Sequence, residues 1–176
     1  MSSERVQALG VEGDVALAVQ SNLAIIEALT SQIGQLERRL LQGSTPRPEY
    51  ALLKSVPGIG EVLAIVIMLE TGDIGRFAQV GNFASYARCV DSAHYSNGKK
   101  KGTRNTKNGN AYLVWAFIEA ANSARRFSNE AKRFFEKKQA KTNRVLATKA
   151  LAHKLARASY HILKEQQPFD VKRCFS

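Results

Sequence analysis

The sequence is poor in the residues that build disulfide frameworks, zinc centres and membrane spans. It has two cysteines, Cys89 and Cys174, and three histidines, too few for a disulfide framework and without the paired cysteines of a zinc site. Its longest apolar run, residues 62–69, is far shorter than the roughly 20 residues that cross a bilayer. The first ten residues lack the apolar centre of a secretory signal. These absences indicate a reduced protein of the cytoplasm with no membrane partner.

Acidic residues are also scarce where metal chemistry would need them. No Asp or Glu occurs between Asp91 and Glu119, and no acidic cluster has the spacing of a metal site. We therefore expect no metal and no cofactor within this chain, and a two-metal nuclease site is improbable. Convincing strand alternation and internal repeats are missing as well. The predicted fold class is all-α.

Positive charge is abundant and is confined to one half of the chain. Residues 1–98 carry seven basic and ten acidic side chains, net −3, whereas residues 99–176 carry nineteen and five, net +14. An apolar fraction of 44% is enough for a packed core. A half-chain this basic points to nucleic acid, and less readily to an anionic membrane surface.

Residues 14–42 have the pattern of a long helix with a seven-residue apolar repeat. Two sets of residues form the a and d positions: Val19, Ile26, Ile33, Leu40 and Val15, Asn22, Leu29, Leu36. This pattern predicts a parallel coiled coil that makes homo-oligomers, or else an amphipathic helix that packs on its own domain. A Pro- and Gly-containing linker, 43–50, follows. We divide the chain into a helical or coiled-coil extension, 1–45, and a helical domain, 46–176.

Residues 52–73 predict two helices joined by a tight turn that contains Pro57, Gly58 and Gly60. This is the pattern of a helix-hairpin-helix element, in which Gly58 and Gly60 would let the backbone approach a DNA phosphate. A core hairpin whose turn simply requires glycine fits the same residues. The pattern alone favours neither interpretation.

Residues 95–109 form a basic loop with a serine at its start. The candidate phosphate-binding residues are Lys99, Lys100, Lys101, Arg104, Lys107 and Asn110, and the candidate nucleophile is Ser96. Binding through such cations depends steeply on salt. From the residues alone, a loop that binds DNA without doing chemistry remains open, because no general base is visible.

A second basic surface is predicted on the helices of residues 128–166. No acid separates Glu136 from Glu165, and eight cations lie between them. The residues expected to track phosphates on one side are Lys137, Lys141, Arg144 and Lys149. The alternative is a solvated face without a ligand.

Five sequence blocks in a fixed order suggest a family. They read VPGIG (56–60), ETGDIGRF (70–77), NFASYA (82–87), SNGKKKG (96–102) and KNGNAYL (107–113). Their order resembles the C-terminal transposase domain of the bridge-RNA-guided insertion-sequence transposases, family one-ten. The resemblance extends over about residues 14–170.

The resemblance implies DNA recombination by phosphoryl transfer. Ser96 would be the nucleophile, with Ser92 as a second candidate, and Lys99, Arg104 and Lys107 would stabilise charge on the phosphate. It also implies DNA and a guide RNA as partners, and a DEDD nuclease domain that holds Mg²⁺. This sequence has no such domain, so we expect a fragment or the product of a truncated element, inactive by itself. The alternatives are a non-catalytic nucleic-acid-binding and dimerisation module and a structural RNA-binding protein.

Overall fold

The computed structural model describes residues 13–45, 47–90, 94–102 and 108–176, without the side chains of 94–96 and 100–102. The chain divides into two units, 1–43 and 44–176, which are described separately. Among the described residues, no helix combines the length and the apolar character needed to cross a bilayer.

The first unit contains one long helix, α1, Gly13–Ser44. Its apolar stripe faces solvent along most of its length: Ile26, Leu29, Ile33 and Leu36 are all more than half exposed. Asn22, the polar residue of the predicted seam, is exposed too. The predicted helix is confirmed, and it presents the surface that a coiled coil would bury.

The second unit is a helical domain with one short hairpin. Its elements are α2 (Pro48–Lys54), α3 (Glu61–Thr71), a 3₁₀ turn (Ile74–Arg76), α4 (Val80–Tyr86), β1 (His94–Ser96), β2 (Lys99–Gly102), α5 (Ala111–Phe127), α6 (Asn129–Gln139), α7 (Arg144–Glu165) and α8 (Val171–Phe175). The described chain is mostly helical, as predicted. The hairpin corrects the expectation that no strand would form.

Side-chain caps fix where several helices begin. The side chains of Asn110, Ser128, Asn143 and Asp170 each accept hydrogen bonds from the first backbone N–H groups of α5, α6, α7 and α8. These N–H groups have no partner inside the helix, so a capping oxygen stabilises the first turn by about 1 kcal/mol. Asn110 thus begins α5 and Ser128 begins α6.

The core is built around α7, which packs against α2, α4, α5, α6 and α8. Alanines are frequent among the buried residues of α5 and α7, and Ala116, Ala120, Ala152 and Ala156 are fully or almost fully buried. Such small side chains allow the helices to pack closely, and the packing energy is then spread over many weak contacts rather than a few large ones. Among the larger core residues, Phe83 meets the ring of Phe117 edge to face, with centroids 6.2 Å apart.

Candidate nucleic-acid interface

The basic loop leaves the domain and returns to it at one place. The backbone N–H of Asn110 donates to the carbonyl oxygen of Tyr86 at 2.7 Å, which joins the end of α4 to the start of α5. Gly109, with φ +91°, makes this approach possible, because a Cβ at that position would lie 2.6 Å from the Tyr86 oxygen. The segment between residues 86 and 110 is therefore held at a closed base, as in a compact surface loop.

Asn110 connects three of the sequence blocks at this base. Its Oδ1 accepts from the backbone N–H groups of Tyr112 and Leu113, at 2.8 and 3.0 Å. Its Nδ2 donates to Glu70 Oε2 at 2.5 Å and to the Tyr86 hydroxyl at 3.3 Å. Because both ends of the amide are occupied, the described arrangement uses Asn110 to fix the loop base and to cap α5. Its predicted role as a phosphate donor stays a prediction.

Arg76 completes the base from the other side. Its guanidinium lies over the rings of Phe77 and Tyr86, with its carbon 4.6 Å from each centroid. The hydrogen bond from Asn110, followed by that from Arg76, lowers the pKa of the Tyr86 hydroxyl. The sequence blocks ETGDIGRF, NFASYA and KNGNAYL thus share one polar and aromatic cluster. The blocks are visible in the sequence, but the contact between Glu70, Arg76 and Tyr86 at one cluster was not predicted from it.

The hairpin β1–β2 lies within the segment between residues 86 and 110. Asn97 and Gly98 form its two-residue turn with φ values of +52° and +70°, the pair of positive angles that a type I′ turn requires. The antiparallel register pairs Ser96 with Lys99 and Tyr95 with Lys100. An Asn-Gly pair is a strong hairpin signal, and the hairpin was not predicted from it.

Several predicted site residues lie outside what the structure describes. Ser92, Arg104 and Lys107 are outside the described residues altogether. For Ser96, Lys100 and Lys101 the backbone is described and the side chains are not. Lys99 is described in full, and its side chain is exposed.

The two glycines of the VPGIG turn have different surroundings. A Cβ on Gly58 would lie 2.2 Å from the carbonyl oxygen of Ala120 and 2.6 Å from the backbone nitrogen of Ala124. Gly58 therefore lets the turn pack against α5, which is the role expected in a core hairpin. Gly60 is exposed at the start of α3, with nothing within 4 Å of where its Cβ would be. The helix-hairpin-helix interpretation stays a prediction and depends on Gly60.

The four cations predicted to share a second basic surface are all exposed, but they do not line one concavity. Lys137 and Lys141 lie in a groove between α6 and α8. Lys149 lines a different concavity, together with Leu146 and His153. The groove contains three further cations that the prediction left out, Arg133, Lys138 and Lys154.

The described residues contain no group of histidine, cysteine or carboxylate side chains that could hold a metal ion. The family resemblance places Mg²⁺ on a separate DEDD domain and not on these residues. We assign no step to a metal bound by these residues.

Comparison with known proteins gives a family for the central part of the chain. Residues 50–136 match the family model described as Transposase IS116/IS110/IS902 family. No curated protein matches the chain. The matched segment contains the loop base, the hairpin and both glycines of the VPGIG turn. Residues 50–136, just under half of the chain, are thus similar to the transposases of the IS116/IS110/IS902 family.

Proposed function

We propose that this chain binds DNA and takes part in the phosphoryl transfer of DNA transposition together with a separate DEDD nuclease domain, with Ser96 as the nucleophile on a DNA phosphodiester. One observation carries the proposal: the family match over residues 50–136 includes a cationic loop that is closed at its base by the Tyr86–Asn110 hydrogen bond. A closed base limits the conformational freedom of the loop. A nucleophile that must be held in position needs this restriction. Free lysines on an open tail would bind DNA without such positioning.

The reaction exchanges one phosphate ester for another. The Ser96 hydroxyl oxygen attacks the phosphorus, the bond from phosphorus to the 3′ oxygen breaks, and the 3′ oxygen leaves with a proton as a hydroxyl. The serine proton passes to solvent or to a base. The product is a 5′-phosphoserine linkage that keeps the bond energy for rejoining to another strand.

Fixed cations are the main help this chain offers to that step. Lys99 pairs with Ser96 in the hairpin register, and Arg104 and Lys107 follow in the sequence of the loop. Negative charge grows on the phosphoryl oxygens in the transition state, and positioned cations stabilise it more than they stabilise the ground state. We assign this role to these three residues.

Further components come from the family resemblance. Mg²⁺ would be held by the acids of a DEDD nuclease domain, and a guide RNA would select the DNA target. The exposed apolar stripe of α1 supports self-association through a coiled coil, since a single copy leaves Ile26, Leu29, Ile33 and Leu36 in water.

A covalent-adduct assay tests the serine assignment. The protein is combined with the DEDD domain, guide RNA, Mg²⁺ and labelled DNA, and the protein–DNA adduct is measured on a denaturing gel. We expect Ser96→Ala to abolish the adduct and Ser92→Ala to retain it, with both variants melting at the wild-type temperature. An adduct formed by Ser96→Ala would show that the assignment is wrong. Loss only in Ser92→Ala would move the nucleophile to that residue. Absence of any adduct in the wild type would favour the non-catalytic binding module.

A further inference from the structure

A groove between α6 and α8 combines aromatic rings with a cluster of unneutralised cations. It has a volume of about 450 Å³ and is lined by Arg133, Phe134, Lys137, Lys138, Lys141 and Phe175, together with Lys154, Glu130 and Ser176. Such a volume lies within the range of about 300–1,000 Å³ that holds small ligands. The five cationic side chains outnumber the acidic groups of the groove and repel one another, and an anion in the groove would relieve that repulsion.

Two half-buried rings form the apolar wall of the groove. The centroids of Phe134 and Phe175 lie 6.0 Å apart at an interplanar angle of 57°. Lys154 Nζ lies 5.2 Å from the Phe134 centroid and 5.9 Å from that of Phe175, and Lys138 Nζ lies 5.8 Å from Phe134. The two ammonium groups therefore lie over the ring faces. They are within range of the phosphate of a ligand that stacks on either ring.

The position of Phe175 is set by a well-anchored short helix. Arg173 Nη2 donates to Glu165 Oε1 at 2.7 Å, and Nη1 donates to the other oxygen of the same carboxylate. Asp170 caps α8 through the backbone N–H groups of Lys172 and Arg173. The fork-to-fork pair fixes α8 against the end of α7, which keeps the second ring in the groove wall.

From this geometry we infer that the α6–α8 groove binds an unpaired nucleotide of single-stranded DNA, with the base stacked on Phe134 or Phe175 and its flanking phosphates on Lys137, Lys138 and Lys141. Proteins that bind single strands without sequence preference combine aromatic rings, on which bases stack, with cations that contact the phosphates. A duplex would use only the cations, because its bases are stacked inside. The inference rests on the proposed function for its choice of DNA, and it adds a site for the strand that recombination leaves unpaired.

Fluorescence anisotropy with paired strands tests the inference. One strand is an oligothymidylate of about eight nucleotides, and the other is an abasic strand of the same length and charge. At matched salt we expect the wild type to bind the base-bearing strand about 5- to 150-fold more tightly. Phe175→Leu should remove most of that preference and leave the abasic strand unaffected. Phe134→Leu provides a second variant, and a thermal melt of each checks that the domain is folded.

Tyr112→Leu is the matched control, because Tyr112 is an aromatic residue with 65% of its surface exposed and does not line the groove. It should bind both strands as the wild type does. Equal binding of the base-bearing and abasic strands by the wild type would overturn the stacking site and leave the Ser96 proposal standing. Tighter binding of oligouridylate than oligothymidylate would overturn the assignment to DNA. Failure of either strand to bind at low salt would count against both the groove and the proposed function.

Discussion

Asn110 shows how one side chain can serve two structural purposes at the loop base. Its carbonyl oxygen caps α5, and its amide nitrogen joins Glu70 to Tyr86. The cap was readable from the sequence because Asn follows Gly ahead of an apolar helix. The partners were not, because Glu70 lies 40 residues away.

We predict that Asn110→Asp destabilises the domain even though aspartate is as good a cap as asparagine. The substitution removes the donor to Glu70 and places two carboxylates in contact, at a cost of about 1–3 kcal/mol at neutral pH. Acidification that protonates one of the two should restore part of the loss. Denaturant unfolding at several pH values measures both effects.

Asn143→Asp is the control for this prediction. Asn143 caps α7 by accepting from Leu146 N–H at 2.9 Å, and the structure gives its side chain no carboxylate partner. Its substitution should change the free energy of unfolding by no more than about 0.5 kcal/mol. Equal losses in the two variants would mean that Glu70 plays no part in the Asn110 effect.

At the scale of elements, α1 leaves apolar residues exposed that a contact with a second helix would bury. Ile25 and Ile26 are 56% and 58% exposed in the single chain, yet only Ile26 occupies a core position of the heptad repeat. The same substitution can therefore be made in the predicted seam, at Ile26, and beside it, at Ile25, and the two effects can be compared.

We expect Ile26→Glu to dissociate the proposed coiled-coil oligomer, because it would bury a charge in the seam. Ile25→Glu should weaken association much less, because that position flanks the seam. Sedimentation at micromolar concentration distinguishes the two. A wild-type chain that sediments as a monomer would contradict the coiled coil, and equal effects would contradict the proposed register.

The docking of α8 rests on the pair between Glu165 and Arg173. The hydrogen bonds from Arg173, and to a smaller extent that from His161, hold the pKa of Glu165 at about 2, below its ordinary value of 4.5. A depressed carboxyl pKa stabilises the folded state above pH 4.5, and that contribution is lost as the pH falls from about 4.5 towards 2. Removing the charge by mutation should have the same effect at neutral pH.

Glu165→Gln should accordingly release α8 and expose the Cys174 thiol. Burial now raises the pKa of Cys174 to about 11 and that of Cys89 to about 12, so both should react slowly. In the variant we expect faster alkylation of Cys174 and an unchanged rate at Cys89, each followed by mass spectrometry. Parallel acceleration at both thiols would indicate general unfolding and would contradict a local role for the pair.

For the molecule as a whole, the net charge of +11 should make DNA binding strongly dependent on salt. Lys137→Gln is expected to reduce the slope of log affinity against log salt by about one, since a phosphate contact would be lost. Lys132→Gln on the same helix is the matched control, because Lys132 lies 4.0 Å from Glu136 and outside the groove. Identical slopes for both variants would show that the groove carries no phosphate contact.

Helix positions were largely readable from local pattern. Helices α3 and α6 lie within the segments 52–73 and 128–166 for which helices were predicted, because apolar spacing, caps and glycine stops act over a few residues. The hairpin was missed because its turn signal, Asn97–Gly98, stands among lysines rather than apolar residues. Helix α8 was missed because its five residues show no periodicity and are held by Glu165, which lies outside the segment.

The sequence by itself determined the helical class, the seven-residue apolar repeat of α1, the basic second half and the five blocks that pointed to the family. These are properties of composition, spacing and order along the chain. Tertiary structure decided that Glu70, Tyr86 and Asn110 meet at one loop base, that Gly58 packs on α5, and that Lys137 and Lys141 share a groove with Phe134 and Phe175 rather than with Lys149. Such groupings depend on how helices distant in the sequence pack around α7, which no local pattern records.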